Sequence, residues 1–148
     1  MCLDKFFNPQ SIAIIGATEN EQNITSSIFN NLFEMGYKWT ITPVNPHHNK
    51  VFGLKCYPSV LDYKENIDLS IIATSSDHVP EILNQHIKRG IKNVIILSGG
   101  FAETGNKGIV LEEEVKRLSR ENNIRIIGPN CIGVLDNYSN FSTFFLPW

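Results

Sequence analysis

No stretch of this 148-residue sequence is apolar for long enough to cross a bilayer. The N-terminal Met1-Cys-Leu-Asp-Lys-Phe-Phe7 also lacks the basic segment and apolar core of an export signal. A soluble, untargeted, cytoplasmic protein is the expectation. Cysteine is scarce: Cys2, Cys56 and Cys131 are odd in number, far apart and form no C-x-x-C pair, which argues against a disulfide framework and a zinc site alike. Neither sign of charge dominates, since 13 Lys and Arg are interspersed with 15 Asp and Glu for a net charge of −2. Nothing therefore suggests a surface for nucleic acid.

What is present is a chain with 42% hydrophobic residues, enough for one domain with a real core and too short for two. It is organised around Ser11-Ile-Ala-Ile-Ile-Gly-Ala-Thr18, a continuous apolar run that breaks at a glycine shortly before a helix. Such a run suits a strand covered on both faces. Gly16 then either lets the backbone turn tightly against a ligand, with the next helix aiming its N–H groups at an anion, or is an ordinary turn residue.

Apolar runs and amphipathic segments alternate from there on, the sign of a βαβ architecture with a parallel sheet. Ile24, Ile28 and Leu32 recur at helical spacing up to Met35 and Gly36. Trp39 to Val44 forms a second strand with Pro43 near its end. Val51 to Ser59 is irregular, and Ser59 is expected to cap a short helix through Tyr63. Leu69 to Ala73 is the third strand, and Thr74 to Asp77 supply a polar loop and a capped start to a helix that buries Val79, Ile82, Leu83 and Ile87 and stops at Gly90. A fourth strand, Asn93 to Ser98, runs into Gly99 to Gly105. A fourth helix follows, marked by Leu111, Val115 and Leu118, its outer face pairing Glu112 with Lys116 and Glu113 with Arg117. Ile124 to Ile127 is the fifth strand, exiting into Gly128 to Gly133.

The expected fold is α/β: a Rossmann-like, doubly wound parallel sheet of about five strands with helices on both faces. Its ligands bind outside the carboxyl ends of the strands, where the strand order reverses. The loops there are 16–18, 45–46, 74–77, 99–105 and 128–133, and they hold most of the Gly, Asn, Ser and Thr found at strand exits, as a nucleotide-shaped ligand requires. A dinucleotide fingerprint is missing, because the first loop reads Gly16-Ala-Thr-Glu-Asn-Glu21 and the second strand ends in Asn45-Pro46 without a ribose carboxylate. The G-x-x-x-x-G-K-[ST] loop of ATPases is missing too.

Taken together, the stretches Leu3-Asp-Lys-Phe-Phe-Asn-Pro9, Ile14-Ile-Gly-Ala-Thr18, Asn31-Leu32, Pro43-Val-Asn-Pro46, Gly53, Tyr57-Pro-Ser59, Ser98, Gly100-Phe-Ala-Glu-Thr-Gly105 and Gly128-Pro-Asn-Cys-Ile-Gly133 resemble a known family over nearly the whole chain. It is the N-terminal CoA-binding domain of NDP-forming acyl-CoA synthetases, the group of ADP-forming acetyl-CoA synthetase and the succinyl-CoA synthetase α subunit. The resemblance implies a single CoA-binding domain over 1–148, with 138–148 an extension or link. The implied cofactor is CoA or acyl-CoA, its phosphates near Gly16, Ala17, Thr18 and Thr25 and its adenosine end near Val44, Asn45, Pro46 and Lys50. Pantetheine would run past Ala73, Thr74, Ser75 and Ser76 toward Gly100, Phe101 and Asn130, with Glu103 near the thioester end. No catalytic or metal-binding residue is assigned: Cys131 reads as a small buried group, His47 and His48 as solvated, and His78 and His86 as helix-surface residues. The resembled enzymes carry phosphate on a histidine of a second domain, so partner domains or subunits supplying phosphohistidine and ATP-grasp functions are implied, and a homodimer is allowed.

Three readings stay open on sequence grounds: part of an ADP-forming acyl-CoA synthetase, a CoA-binding regulatory portion of a protein acetyltransferase, and a stand-alone CoA or nucleotide sensor. The chain departs from the family's pattern where Glu21-Gln22 and Thr25 replace glycine-containing positions, and these are expected to crowd and repel a phosphate. The apolar end Asn140 to Trp148 is expected either to fold back on the sheet's edge or to meet another domain.

Overall fold

A computed structural model of the protein describes residues 3–146. Pro147 and Trp148, part of the apolar end, and Cys2 lie outside them. In chain order the elements are α1 (Asp4–Phe7), β1 (Ser11–Ile15), α2 (Ile24–Glu34), β2 (Thr40–Val44), β3 (Lys50–Val51), β4 (Leu54–Lys55), β5 (Leu69–Ile72), α3 (Val79–Arg89), β6 (Asn93–Ile96), α4 (Asn106–Asn122), β7 (Arg125–Ile127), β8 (Leu135–Asp136) and β9 (Phe141–Ser142). Short 3₁₀ turns at Ser76–His78 and Ala102–Thr104 lead into α3 and α4.

The expected doubly wound sheet is present: five parallel strands in the order β2-β1-β5-β6-β7. Period-two alternation sends successive residues of each strand to opposite faces, and both faces are covered. Ile12, Ile14, Leu69, Ile71 and Ile95 meet Ile28, Phe29 and Leu32 of α2, with Phe141 of β9. On the other face Ala13, Ile15, Ile72, Val94 and Ile96 meet Val79 and Leu83 of α3 and Val115 and Leu118 of α4. This two-sided burial is why the strands read as unbroken apolar runs.

Several local expectations differ from what the fold does. The segment read as irregular contains the β3–β4 hairpin, whose turn puts both Phe52 (φ 48°) and Gly53 (φ 75°) in the left-handed region. Beyond it, Tyr57 pairs with β2, its N–H donating to Pro43 O and its carbonyl accepting from Asn45 N–H, which covers part of the sheet's edge. Ser59 caps no helix; its hydroxyl accepts from Leu61 N–H within a turn and donates to Gln85 Oε1 at 2.7 Å. The start of α3 has no side-chain cap, because the 3₁₀ turn at Ser76–His78 and Pro80 lead into it instead. On α4 Lys116 does reach Glu112 at 3.0 Å, but Arg117 pairs with Glu114 and Glu121 rather than Glu113. The described part of the apolar end folds back, with Phe141–Ser142 paired to β8 and the Asn31 amide on α2 donating to Phe144 O and Leu146 O.

His86 is the clearest correction: it is fully buried, not on the helix surface. Its Nδ1 lies 2.6 Å from Ile82 O and its Nε2 2.6 Å from Ser70 Oγ. Because a carbonyl only accepts, Nδ1 carries the proton and Nε2 accepts from the Ser70 hydroxyl. Burial pushes its pKa from 6.5 down to about 4. Between those values the unfolded chain binds the extra proton and the folded chain does not, so this contribution to stability is complete above pH 6.5 and is lost as the pH falls toward 4. Urea unfolding should show His86 alone removing about 2 kcal/mol between pH 7 and pH 5. In His86→Leu that pH-dependent share should vanish even though overall stability is lower. An equal loss in both proteins would show that the histidine is not the acid-sensitive group.

Candidate functional site

Where the order turns back at β1, the carboxyl ends of β2, β1 and β5 open onto a cleft of about 870 Å³. Eight of the residues expected from sequence line it: Gly16, Thr18, Val44, Asn45, Pro46, Ala73, Thr74 and Ser75. Gly16 adopts φ +86°, and a Cβ there would stand 2.5 Å from the backbone oxygen of Ala73, so only glycine lets the loop after β1 pass so close to β5. Asn45 joins two walls by donating from Nδ2 to Ala17 O at 2.9 Å while its Oδ1 accepts from His47 N–H. Ser98, at the end of the fourth apolar run, donates its hydroxyl to Thr74 O and also lines the cleft.

The loop after β1 is tied down by its own donors. Gly16 and Ala17 N–H both donate to Val44 O, Thr18 N–H to the Thr25 hydroxyl, and Thr25 N–H to Asn23 Oδ1, the cap of α2. Ala17 and Thr25 are fully buried behind the loop. The crowding expected of Thr25 does not follow from this placement, since its hydroxyl accepts from Thr18 N–H at 3.2 Å and donates to Asn23 Oδ1 at 2.9 Å beneath the loop. Glu21 is exposed and outside the lining, whereas Gln22 is part of it.

Lys50 is exposed on β3, outside the lining. The remaining expected residues gather beyond the cleft, at the ends of β6 and β7. There the Glu103 carboxylate accepts from Gly100 N–H (2.7 Å), Phe101 N–H (3.2 Å) and the Asn130 amide (3.3 Å). These backbone donors, Gly100 first, hold its carboxyl below the usual range. Glu103 thus closes the glycine loop on itself. Ser76 packs against Gly100, where a Cβ would come within 2.5 Å of its hydroxyl. The Phe101 ring is fully buried in the core, leaving its backbone on the loop. Cys131 is half-buried, its Sγ 3.5 Å from Ile96 O, and burial pushes its thiol pKa up, away from nucleophilic use.

The cleft also contains residues not expected there from sequence: Asn20 and Asn23 on the first loop, His47 and His48 (read as solvated) on the second, and His78 (read as helix surface), Glu81, Ile82 (read as part of the buried stripe) and Gln85 along the start of α3. A signal for the last four exists, because positions 78, 81, 82 and 85 share one helical face.

A family model described as a CoA binding domain matches residues 10–137. The chain is 41% identical over 137 residues to the ADP-forming acetate–CoA ligase of Methanocaldococcus jannaschii, covering 93% of this chain and 19% of that protein. It is 37% identical over 145 residues to the α subunit of ADP-forming acetate–CoA ligase II of Pyrococcus furiosus, covering 97% of this chain and 31% of that subunit. Among solved structures, a dinucleotide-forming acetyl-coenzyme A synthetase of Ca. Korarchaeum cryptofilum, in complex with phosphate and ADP, superimposes with a TM-score of 0.92 at 35% identity, covering 99% of this chain and 31% of that one. The chain thus spans about a fifth to a third of these proteins. It belongs to the CoA binding domain family, and coenzyme A is the cofactor that this membership assigns to it.

Proposed function

We propose that the chain is the CoA-holding part of an ADP-forming acyl-CoA synthetase, an acid–thiol ligase whose phosphohistidine and ATP-grasp functions lie in further domains or a partner subunit. The observation that carries this is the convergence of the 16–18, 45–46 and 73–75 loops on one cleft, in a chain that matches the corresponding share of ADP-forming ligases along nearly its whole length. The cleft suits the ligand: its size is that of a cofactor pocket, and Ile15, Val44 and Ile82 give it apolar wall beside the amides of Asn20, Asn23 and Asn45.

In this reading the CoA phosphates sit against Gly16, Ala17 and Thr18, and the adenosine end lies toward Val44 to Lys50. Pantetheine follows Ala73 to Ser76 toward Gly100, Phe101 and Asn130. The work of this part of the protein is then to bind CoA and aim its thiol; the Glu103 carboxylate, already held by Gly100 and Phe101 N–H, keeps the glycine loop in shape for that path. Calorimetric titration should give saturable binding of CoA and acetyl-CoA and none of NAD. Saturable NAD binding without CoA binding would overturn the assignment.

A further inference from the structure

Binding a phosphate takes N–H donors or positive charge, and the side-chain amides lining this cleft, those of Asn20 and Asn23 among them, bring no charge. The Gly16, Ala17, Thr18 and Thr25 amides are committed to protein acceptors. Among the described residues lining the cleft there is neither lysine nor arginine. Imidazoles are there instead: His47 and His48 on the loop after β2, and His78 at the start of α3, which follows β5. Since β2 and β5 flank β1 on opposite sides, these side chains bracket the loop after β1. All three are exposed. Among the described residues no group of three or more His, Cys, Asp or Glu is placed to hold a metal ion.

We infer that His47, His48 and His78 supply the cationic contacts to the ligand's diphosphate, so that binding tightens as the pH falls from about 8 to about 6, the range in which histidine side chains gain a proton. This rests on reading the cleft as the CoA site. The other charged groups around the cleft do not replace them. Glu81 on the α3 wall opposes an anion. Glu19 on the first loop is engaged with Phe52 N–H, and Glu21 on the same loop is exposed. Asp77, next to His78, is paired with Lys107 at 3.1 Å, and Lys50 lies outside the lining on β3.

The test titrates dephospho-CoA into the protein and into the His47→Gln, His48→Gln, His78→Gln triple variant at about pH 8 and pH 6, with circular dichroism confirming the fold. Dephospho-CoA is used because its diphosphate keeps its charge over this range, whereas a phosphate monoester itself titrates near pH 6. The parent should bind roughly five- to tenfold tighter at the lower pH, and the variant should lose that difference. Equal affinities in the parent, or a pH dependence that survives in the variant, would overturn the inference. If dephospho-CoA and CoA fail to bind at either pH, the reading of the site falls, and sulfate, whose charge is also constant here, tests the imidazoles separately. Imidazole NMR resonances that titrate higher with sulfate than without it would uphold their anion-binding role; unmoved titrations would end it.

Discussion

Replacing Gly16 by alanine should cost about 3 kcal/mol or more of stability and weaken CoA binding at least about tenfold. Two effects add. The residue has φ +86°, which an L side chain occupies only at a cost, and its Cβ would stand 2.5 Å from Ala73 O, well inside contact distance. The oxygen cannot easily retreat, because Ala73 N–H donates to Ile15 O at 3.0 Å and the next carbonyl, that of Thr74, accepts from Ser98. Gly36→Ala is the matched control: it also has positive φ, at +69°, but nothing lies within 4 Å of its Cβ position. Only the backbone penalty of about 1 kcal/mol is expected there. Urea unfolding of the two variants separates clash from conformation. If Gly16→Ala is no more costly than Gly36→Ala and binds CoA like the parent, close approach to β5 is not the reason for the glycine.

Gly108→Ala should destabilise by about 3 kcal/mol, reversing the sign that helix propensity assigns to it. Within an ordinary helix this substitution gains roughly 1 kcal/mol. Gly108, however, lies in α4 where that helix passes over the turn after Phe101: a Cβ would fall 1.7 Å from Phe101 O and 2.5 Å from the Thr104 hydroxyl. Relief requires moving the Phe101 backbone, whose ring is fully buried with Val79, Leu83 and Val115, or lifting α4 from the sheet. The 99–105 loop would move with it, so CoA affinity should fall as well. Chemical denaturation together with near-ultraviolet circular dichroism measures the effect, and a stabilised Gly108→Ala would mean that α4 and the loop have more room than this contact allows.

The sheet was readable in the sequence because each central strand is buried on both faces and therefore carries a bare apolar run, and because the helices between them keep a buried stripe. Glycines at 36 and 90 stop α2 and α3 through left-handed backbone, φ +69° and +72°. Strand ends were less clear: Ala73 and Leu97 continue the apolar runs past the last ladder pairs, and Ser98 follows at the rim of the cleft. The β3–β4 turn went unseen because its first left-handed residue is Phe52, not the Asn or Gly that marks such turns. His86 was misjudged by residue type, although its spacing from Val79 and Leu83 already put it on the buried stripe of α3; its partner, Ser70, comes from a neighbouring strand.

Local chemistry, then, was enough to determine the alternation of strands and helices, the glycine at the exit of β1 and the loops at the carboxyl edge, since these depend on burial pattern and backbone freedom within a few residues. Tertiary structure decided which polar groups are used and which are left to a ligand. Thr25, Glu103 and Asn45 look alike in sequence as candidate contacts. Packing spends Thr25 beneath the first loop and Glu103 on its own glycine turn, while Asn45 bridges two walls and still faces the cleft. His78 lies about thirty positions along the chain from the adjacent His47 and His48, and only the placement of β2 and β5 on either side of β1 brings them around one space. Hydrogen-bond saturation and proximity across the sheet are properties of the folded molecule, which no window of sequence contains.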